Sequence, residues 1–230
     1  MLGLDGHLLY STRDYHDEVT WWYFLIPVSY AFGIFPTAQL VAGLLGHDPT
    51  EEGSGNPGAS NVYRVAGAKA GILVLAGDLM KGFIPALVCY FIDGRFFGLL
   101  AGVAAMLGHI FPVTRRFSGG KGVATIGGVG IALYPLVAII AVVIWFPIMK
   151  LFRKASIGSL VLIGIFPIGV LISSSGSLRE FFVSLGASLI VLSRHSKNIQ
   201  RLISGAEQAI DYLNLPVEFP FEKPLQFCLY

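Results

Sequence analysis

Three polar segments of this 230-residue chain carry side chains suited to holding an anion. Residues 53–64, GSGNPGASNVYR, combine three glycines with Ser54, Asn56, Ser60, Asn61 and Arg64. Glycine exposes backbone amides, and hydroxyl, carboxamide and guanidinium donors join them, a mixture that suits a phosphate. A plain Gly-Pro turn between helices would have much the same composition. Residues 108–125, GHIFPVTRRFSGGKGVAT, place Gly119, Gly120, Lys121 and Gly122 directly before an apolar stretch. Backbone amides, an ammonium and a helix N-terminus would then face one point and favour negative charge there. This is no Walker loop, because GGKG lacks the upstream glycine at the defining spacing and no strand precedes it; a flexible basic loop is the alternative. His109 and Pro112 fall near the end of the preceding helix, where a histidine commonly satisfies a carbonyl. Residues 193–202, SRHSKNIQRL, put His195 and Asn198 three apart with Arg194 and Arg201 nearby. One imidazole and one carboxamide share a face if the last helix continues, although a basic helix end bound to lipid headgroups would read the same way.

Asp78 and Lys81 lie three apart inside an apolar run, where an isolated charge costs at least about 2.5 kcal/mol on insertion scales. Their spacing lets them pair with each other in a bundle interior; direct chemistry is the alternative. Ser156 follows Arg153 and Lys154 at a later turn and either contributes a hydroxyl or caps a helix. Cys89 and Cys228 have no metal or redox spacing.

Composition sets the elements that must position these groups. Only 13% of the residues are charged while 54% are hydrophobic, against roughly 25% charged in a soluble domain, and the mean hydropathy is +0.70. The chain therefore reads as an all-α polytopic membrane bundle, with residues 1–20 an extracytoplasmic extension, 21–205 the transmembrane domain and 206–230 a cytoplasmic tail. A crossing needs about 20 apolar residues, which residues 21–45, 70–92 and 96–113 approach. Residues 122–149 are too long for one crossing and divide at Tyr134 and Pro135, where the proline lacks the amide a continuous helix requires. The short first half of that pair must tilt or pack inside protein. Residues 157–172 and 181–192 complete a set of about seven transmembrane helices.

An odd number of crossings places the termini on opposite sides. Arg64, Lys69, Arg115, Arg116, Lys121, Lys150, Arg153, Lys154, Arg194, Lys197, Arg201 and Lys223 share one side, against Arg13, Arg95 and Arg179 on the other. The excess of Lys and Arg puts the first group in the cytoplasm and the N-terminus outside. Trp21, Trp22 and Tyr23 open the first span as an aromatic belt would, or as an ordinary aromatic cluster. The acidic residues near the start argue against a signal peptide, so the first span is expected to direct insertion itself. A net charge of +2 is too mild to imply a nucleic-acid partner. Residues 206–213 could form a short amphipathic helix on the membrane surface or a solvated tail.

Taken together, the three segments resemble the three motifs of the bacterial acyl-phosphate:glycerol-3-phosphate acyltransferases of the PlsY type. GSGNPGASN followed by Arg64, GHIFPV followed by GGKGVAT, and RH followed by NIQRL stand in the family's order. DLMKG and RKAS also resemble family features, and the likeness runs over residues 21–207. The resemblance implies a seven-helix enzyme of the bacterial cell membrane, its site facing the cytoplasm. Such an enzyme moves a fatty acyl group from acyl phosphate to the sn-1 hydroxyl of glycerol 3-phosphate, giving lysophosphatidic acid and phosphate. It implies no cofactor, no metal and a monomer among membrane lipids. Carried over by position, the catalytic residues are Ser54, Lys121, His195 and Asn198, and the substrate- and phosphate-binding residues are Asn61, Arg64, Gly119, Gly120, Lys121, Ser156 and Arg201. Glu51 and Glu52 before the first motif, and Thr114, Arg115, Arg116 and Ser118 before GGKG, depart from the family's usual pattern.

The donor on this reading is a mixed anhydride, already activated, so it needs only a positioned hydroxyl and charge stabilisation. Arg64 and Lys121 would hold phosphate groups, while Ser54, Asn61 and Asn198 orient the reacting atoms. His195 would remove the hydroxyl proton, or the departing phosphate would accept it. An anion transporter is the rival from another class, but no repeat relates the two halves and the polar motifs gather on one side. A catalytically silent lipid-binding paralogue is the third reading.

Overall fold

The first apolar run meets Pro36, and there its helix breaks. In the computed structural model, which describes residues 21–209, a 3-10 turn Trp21–Phe24 leads into α1 (Leu25–Gly33) and then, after a non-helical step, α2 (Thr37–Gly43). The sequence suggested one continuous helix over 21–45; a proline without an amide hydrogen divides it. The short α3 (Ala59–Ala66) follows inside the first polar segment.

The longest helical stretch is α4, Ala68–Ile110, of 43 residues. A straight helix of that size would be about 65 Å long, twice the roughly 30 Å hydrocarbon layer. It is not straight. Asp93 (φ −142°) and Gly94 (φ 78°, ψ −175°) leave helical geometry, and a Cβ placed on Gly98 would lie 2.6 Å from the carbonyl oxygen of Ala86. The chain therefore doubles back as a helical hairpin, residues 68–92 against 95–110, in agreement with the two separate apolar runs. After the 3-10 turn Val113–Arg115 come α5 (Val123–Leu133) and α6 (Pro135–Phe152), divided at Tyr134 and Pro135 as expected. Then follow α7 (Ala155–Ser173), α8 (Leu178–Ser193) and α9 (Ser196–Ile203). No strand occurs among the described residues.

Small residues set the helix crossings. A Cβ on Gly82 of α4 would lie 1.9 Å from the Thr125 carbonyl oxygen, and one on Gly128 of α5 would lie 2.0 Å from that of Leu79. The two backbones touch, the close approach by which membrane helices gain packing energy without a hydrophobic drive. The interior is filled by Leu99, Met106, Ile110, Val129, Tyr134 and Val191, all at most 1% exposed. The perimeter is apolar too. In α6 only Val137 and Met149 are buried, while Ile139, Val142, Val143 and Phe146 are each more than 60% exposed. Such a continuous apolar girdle requires lipid as its solvent. Four stretches of these helices are long and apolar enough to cross a bilayer, and one of them contains the α4 hairpin.

At one end of the bundle a polar tie joins α4, α7 and α8 to the α5–α6 junction. The Tyr134 hydroxyl donates to Glu180 Oε2 at 2.8 Å, Arg95 Nε donates to the same oxygen at 3.1 Å, and Arg95 Nη1 reaches the Ser173 carbonyl at 3.4 Å. Glu180 is 4% exposed, so its charge is compensated where water is scarce. The three polar segments meet at the opposite end.

Candidate active site

α3 begins after Gly58 and carries Asn61 in its first turn. The Asn61 carboxamide faces backwards onto the loop before it. Its Oδ1 accepts from the Ser54 amide at 2.8 Å, and its Nδ2 donates to the carbonyls of Pro49 (2.9 Å) and Glu52 (3.0 Å). All its strong bonding positions on that side serve loop backbone, so Asn61 shapes the loop that presents Ser54. Half of the segment that reads as a glycine loop is thus helix. Arg64, in the last turn of α3, extends towards the carbonyls of Gln208 and Ala209 at 3.3 and 3.4 Å.

Gly119 and Gly120 are used differently from their expected role. Their amides donate to the carbonyls of Ile110 and His109, both at 3.1 Å, so these two N–H groups do not face an anion. The loop lies flat on the end of α4. A Cβ at Gly120 would be 2.1 Å from His109 Nε2, and one at Gly119 would be 2.0 Å from the His109 carbonyl oxygen. The pair of glycines is required by this contact. Lys121, Gly122, Val123 and Ala124 instead line the cavity, bringing the ammonium and the first turn of α5, whose amides lack intrahelical partners.

The His109 ring meets side chains rather than the carbonyl expected of it. Its Nδ1 lies 3.4 Å from Lys81 Nζ and 3.6 Å from Asp78 Oδ1. Lys81 Nζ contacts Asp78 Oδ1 at 2.6 Å and Thr37 Oγ1 at 2.7 Å, so the i,i+3 pair forms and draws in α2. Asp78 and His109 both reach the cavity wall.

In the third segment α8 stops at Ser193 and α9 begins at Ser196, with His195 (φ −94°, ψ 3°) at the junction. The helix does not continue, yet His195 and Asn198 are both buried and both line the cavity. His195 Nδ1 is 2.8 Å from the Val191 carbonyl. A carbonyl only accepts, so Nδ1 carries the hydrogen and the neutral ring keeps its lone pair on Nε2. Burial lowers the affinity of His195 for a second proton, the Val191 bond opposes this, and the net shift is downward.

The sequence reading missed Glu207. Past α9, Gly205 takes φ 74° and turns the chain back, so residues 206–209 are not helical. Residues 210–213 of the suggested amphipathic helix lie outside the described residues, as do the extension 1–20 and the rest of the tail. Glu207 is 8% exposed and accepts from Asn198 Nδ2 at 2.6 Å and from Arg201 Nε at 2.8 Å. Burial pushes its carboxyl up, but the bonds from Arg201, Ser156 and Asn198 outweigh this and hold it below the usual range. The only signal in the sequence was an acidic residue after a short basic helix and a glycine.

These parts enclose a cavity of about 480 Å³ with two unlike ends. At one end stand Ser54, Arg64, Lys121, Ser156, His195, Asn198, Arg201 and Glu207. Burial pushes the Lys121 ammonium down to about 8, with Glu207 opposing and Arg201, Arg64 and Arg194 reinforcing the shift, as expected for cations gathered without a full complement of anions. The other end runs between α5, α6 and α7 past Ile131, Ala138, Ala141, Trp145, Leu162 and Phe166. The flanking departures point elsewhere. Glu52 bonds His47 Nδ1 and the Asp48 amide, both at 2.8 Å, Arg115 donates to the Ile34 carbonyl at 3.2 Å, and Glu51 and Arg116 are not on the cavity wall.

Residues 23–205 match the family model described as "Glycerol-3-phosphate acyltransferase". Glycerol-3-phosphate acyltransferase of Trichlorobacter lovleyi is 38% identical over 185 residues, covering 80% of this chain and 95% of that one. That of Bacillus subtilis is 37% identical over 190 residues, covering 82% and 97%. Crystal structures of PlsY, an integral membrane glycerol 3-phosphate acyltransferase, superpose with TM-scores of 0.76 for the glycerol 3-phosphate form and 0.74 for the lysophosphatidic acid form. Each shows 35% identity and covers 82% of this chain and 95% of the crystallised one.

Proposed function

Since this chain belongs to the glycerol-3-phosphate acyltransferase family, we propose that its two-ended cavity is the place where a fatty acyl phosphate meets glycerol 3-phosphate. The protein is a membrane acyltransferase whose product is lysophosphatidic acid. The observation that carries the reading of the site is the cavity itself. Arg64, Lys121 and Arg201 gather at one end, and an apolar channel between α5, α6 and α7 leaves the other. A cationic end matches phosphate and an apolar one matches an acyl chain, and the carbonyl of an acyl phosphate lies between its two halves.

The donor we propose is acyl phosphate and the acceptor position the sn-1 hydroxyl. Lys121, Arg64 and the first turn of α5 hold the phosphate groups. Ser156, buried beside Glu207, and Ser54 on its Asn61-held loop add neutral donors. The attacking hydroxyl donates to His195 Nε2, the acceptor left by the Val191 bond. Its oxygen forms the new ester bond to the acyl carbon. The bond from that carbon to the phosphate oxygen breaks, the electron pair leaves with phosphate, and the proton passes to His195. Bound phosphate charge, neutralised in a water-poor site, provides the electrostatic part of the rate.

The site faces the cytoplasm in this proposal, supported by the excess of Lys and Arg on its side, and the membrane is the bacterial inner membrane. The test is direct. Purified protein given a long-chain acyl phosphate and glycerol 3-phosphate should release phosphate and form lysophosphatidic acid one for one. The Lys121→Met variant should lose at least about 100-fold in turnover. Formation of product from acyl-CoA but not from acyl phosphate would overturn the donor, and full activity in Lys121→Met would overturn the phosphate site.

A further inference from the structure

Asn198 is 5% exposed and its two amide atoms have unequal surroundings. Nδ2 is bound to Glu207 at 2.6 Å, whereas Oδ1 is buried and has no hydrogen-bond partner among the described residues. An ionised carboxylate only accepts, so the amide must turn its NH₂ to Glu207 and its oxygen the other way. Glu207 is itself fixed by Arg201 Nε at 2.8 Å, a charge-assisted bond that holds its orientation. A buried carbonyl oxygen left unpaired carries a desolvation cost that a ligand donor would remove.

The identity of that donor follows from the chemistry of the two substrates, on the function proposed above. An ionised phosphate presents only acceptors, and so does the acyl carbonyl; both repel Oδ1. The hydroxyls of glycerol 3-phosphate are the only donors either substrate carries. We propose that Glu207 is a positioning residue that locks the Asn198 carboxamide with its oxygen towards the cavity, making Asn198 an acceptor that recognises a hydroxyl of glycerol 3-phosphate. Asn198 on this assignment does not donate to a developing oxyanion. Glu207 lies two residues beyond the stretch that matches the family model and after the last described helix.

Exchange of the pair provides the test. Glu207→Gln, anchored by Arg201 through its oxygen, offers an NH₂ to Asn198 and turns the amide over. The KM for glycerol 3-phosphate is expected to rise about tenfold while that for acyl phosphate stays within about twofold. Asn198→Asp sets two carboxylates side by side and should lose about 100-fold in kcat/KM. The double variant Asn198→Asp/Glu207→Gln restores the bond with its direction reversed, keeps the net charge and again presents an oxygen to the cavity. It should recover at least about tenfold over Asn198→Asp. If Asn198 instead donates to substrate, the double variant stays as poor as Asn198→Asp, and the proposal falls. Should the double variant fail to fold, the KM split of Glu207→Gln decides alone, since a merely structural role moves both KM values together or neither. Wild-type turnover on acyl phosphate and glycerol 3-phosphate is measured in the same series. Its absence refutes the proposed function, while its presence with an unmoved KM split refutes only the orientation.

Discussion

Replacing Gly120 by alanine tests the account of the GGKG segment most sharply. The added Cβ would stand 2.1 Å from His109 Nε2, well inside ordinary contact. The imidazole cannot swing freely, because its Nδ1 side faces Lys81 and Asp78. Either the ring or the loop must yield, and overpacking of this kind costs about 1–3 kcal/mol. The loop carries Lys121, and a shift of about 1 Å in a positioned group can cost about 100-fold in rate. Gly120→Ala should therefore lose about 100-fold in kcat/KM, read as phosphate release by detergent-purified protein. Adding His109→Ala removes the obstacle and should return at least about tenfold of that loss, a coupling of roughly 1.4 kcal/mol. Gly119→Ala is the control. Its Cβ meets the His109 backbone oxygen at 2.0 Å, which no substitution at 109 removes. If His109→Ala rescues both alanine variants equally, or if Gly120→Ala is fully active, contact with the imidazole is not what selects glycine there.

The pH profile follows from Lys121. A phosphate binds its charged form, so the KM for glycerol 3-phosphate should be flat below about 8 and climb roughly tenfold per unit above it; arginine at 121 should remove the climb. His195→Gln should lower kcat by about 100-fold or more and flatten its acid limb, and an unchanged limb would give the proton to the departing phosphate instead. Glu180→Ala leaves the Tyr134 hydroxyl and Arg95 without their common partner, a loss of about 3 kcal/mol for a broken buried pair. The melting midpoint in detergent should fall by roughly 6–12 °C, with turnover per folded molecule unchanged. An unmoved midpoint would show that the polar tie contributes nothing.

Much of this architecture was legible because lipid imposes simple rules. Apolar run lengths gave the α4 hairpin as two segments, and Pro135 marked the break between α5 and α6. Pro36 makes an equally physical break in the first run, but the hydrophobicity continues across it and the length alone suggested one helix. The composition of the three polar segments singled out side chains that the fold gathers around one cavity. What composition could not give is which atoms are already spent. Asn61 and the Gly119 and Gly120 amides look like ligands in sequence but satisfy backbone groups in the fold. Glu207 looks like part of a tail, and joins the site only because Gly205 turns the chain through a left-handed conformation.

The Asp78–Lys81 pair bears on how the protein enters the bilayer. Both charges lie within one turn of the same helix, so they can neutralise each other while that segment is still alone in the translocation machinery. A partner on a later helix would leave one charge bare until the bundle assembled. Thr37 is made before the pair and His109 after it, so the first can join at once and the second only when the hairpin closes. Order of synthesis and order of charge compensation coincide, and separating the pair onto different helices should impair membrane integration before it impairs catalysis.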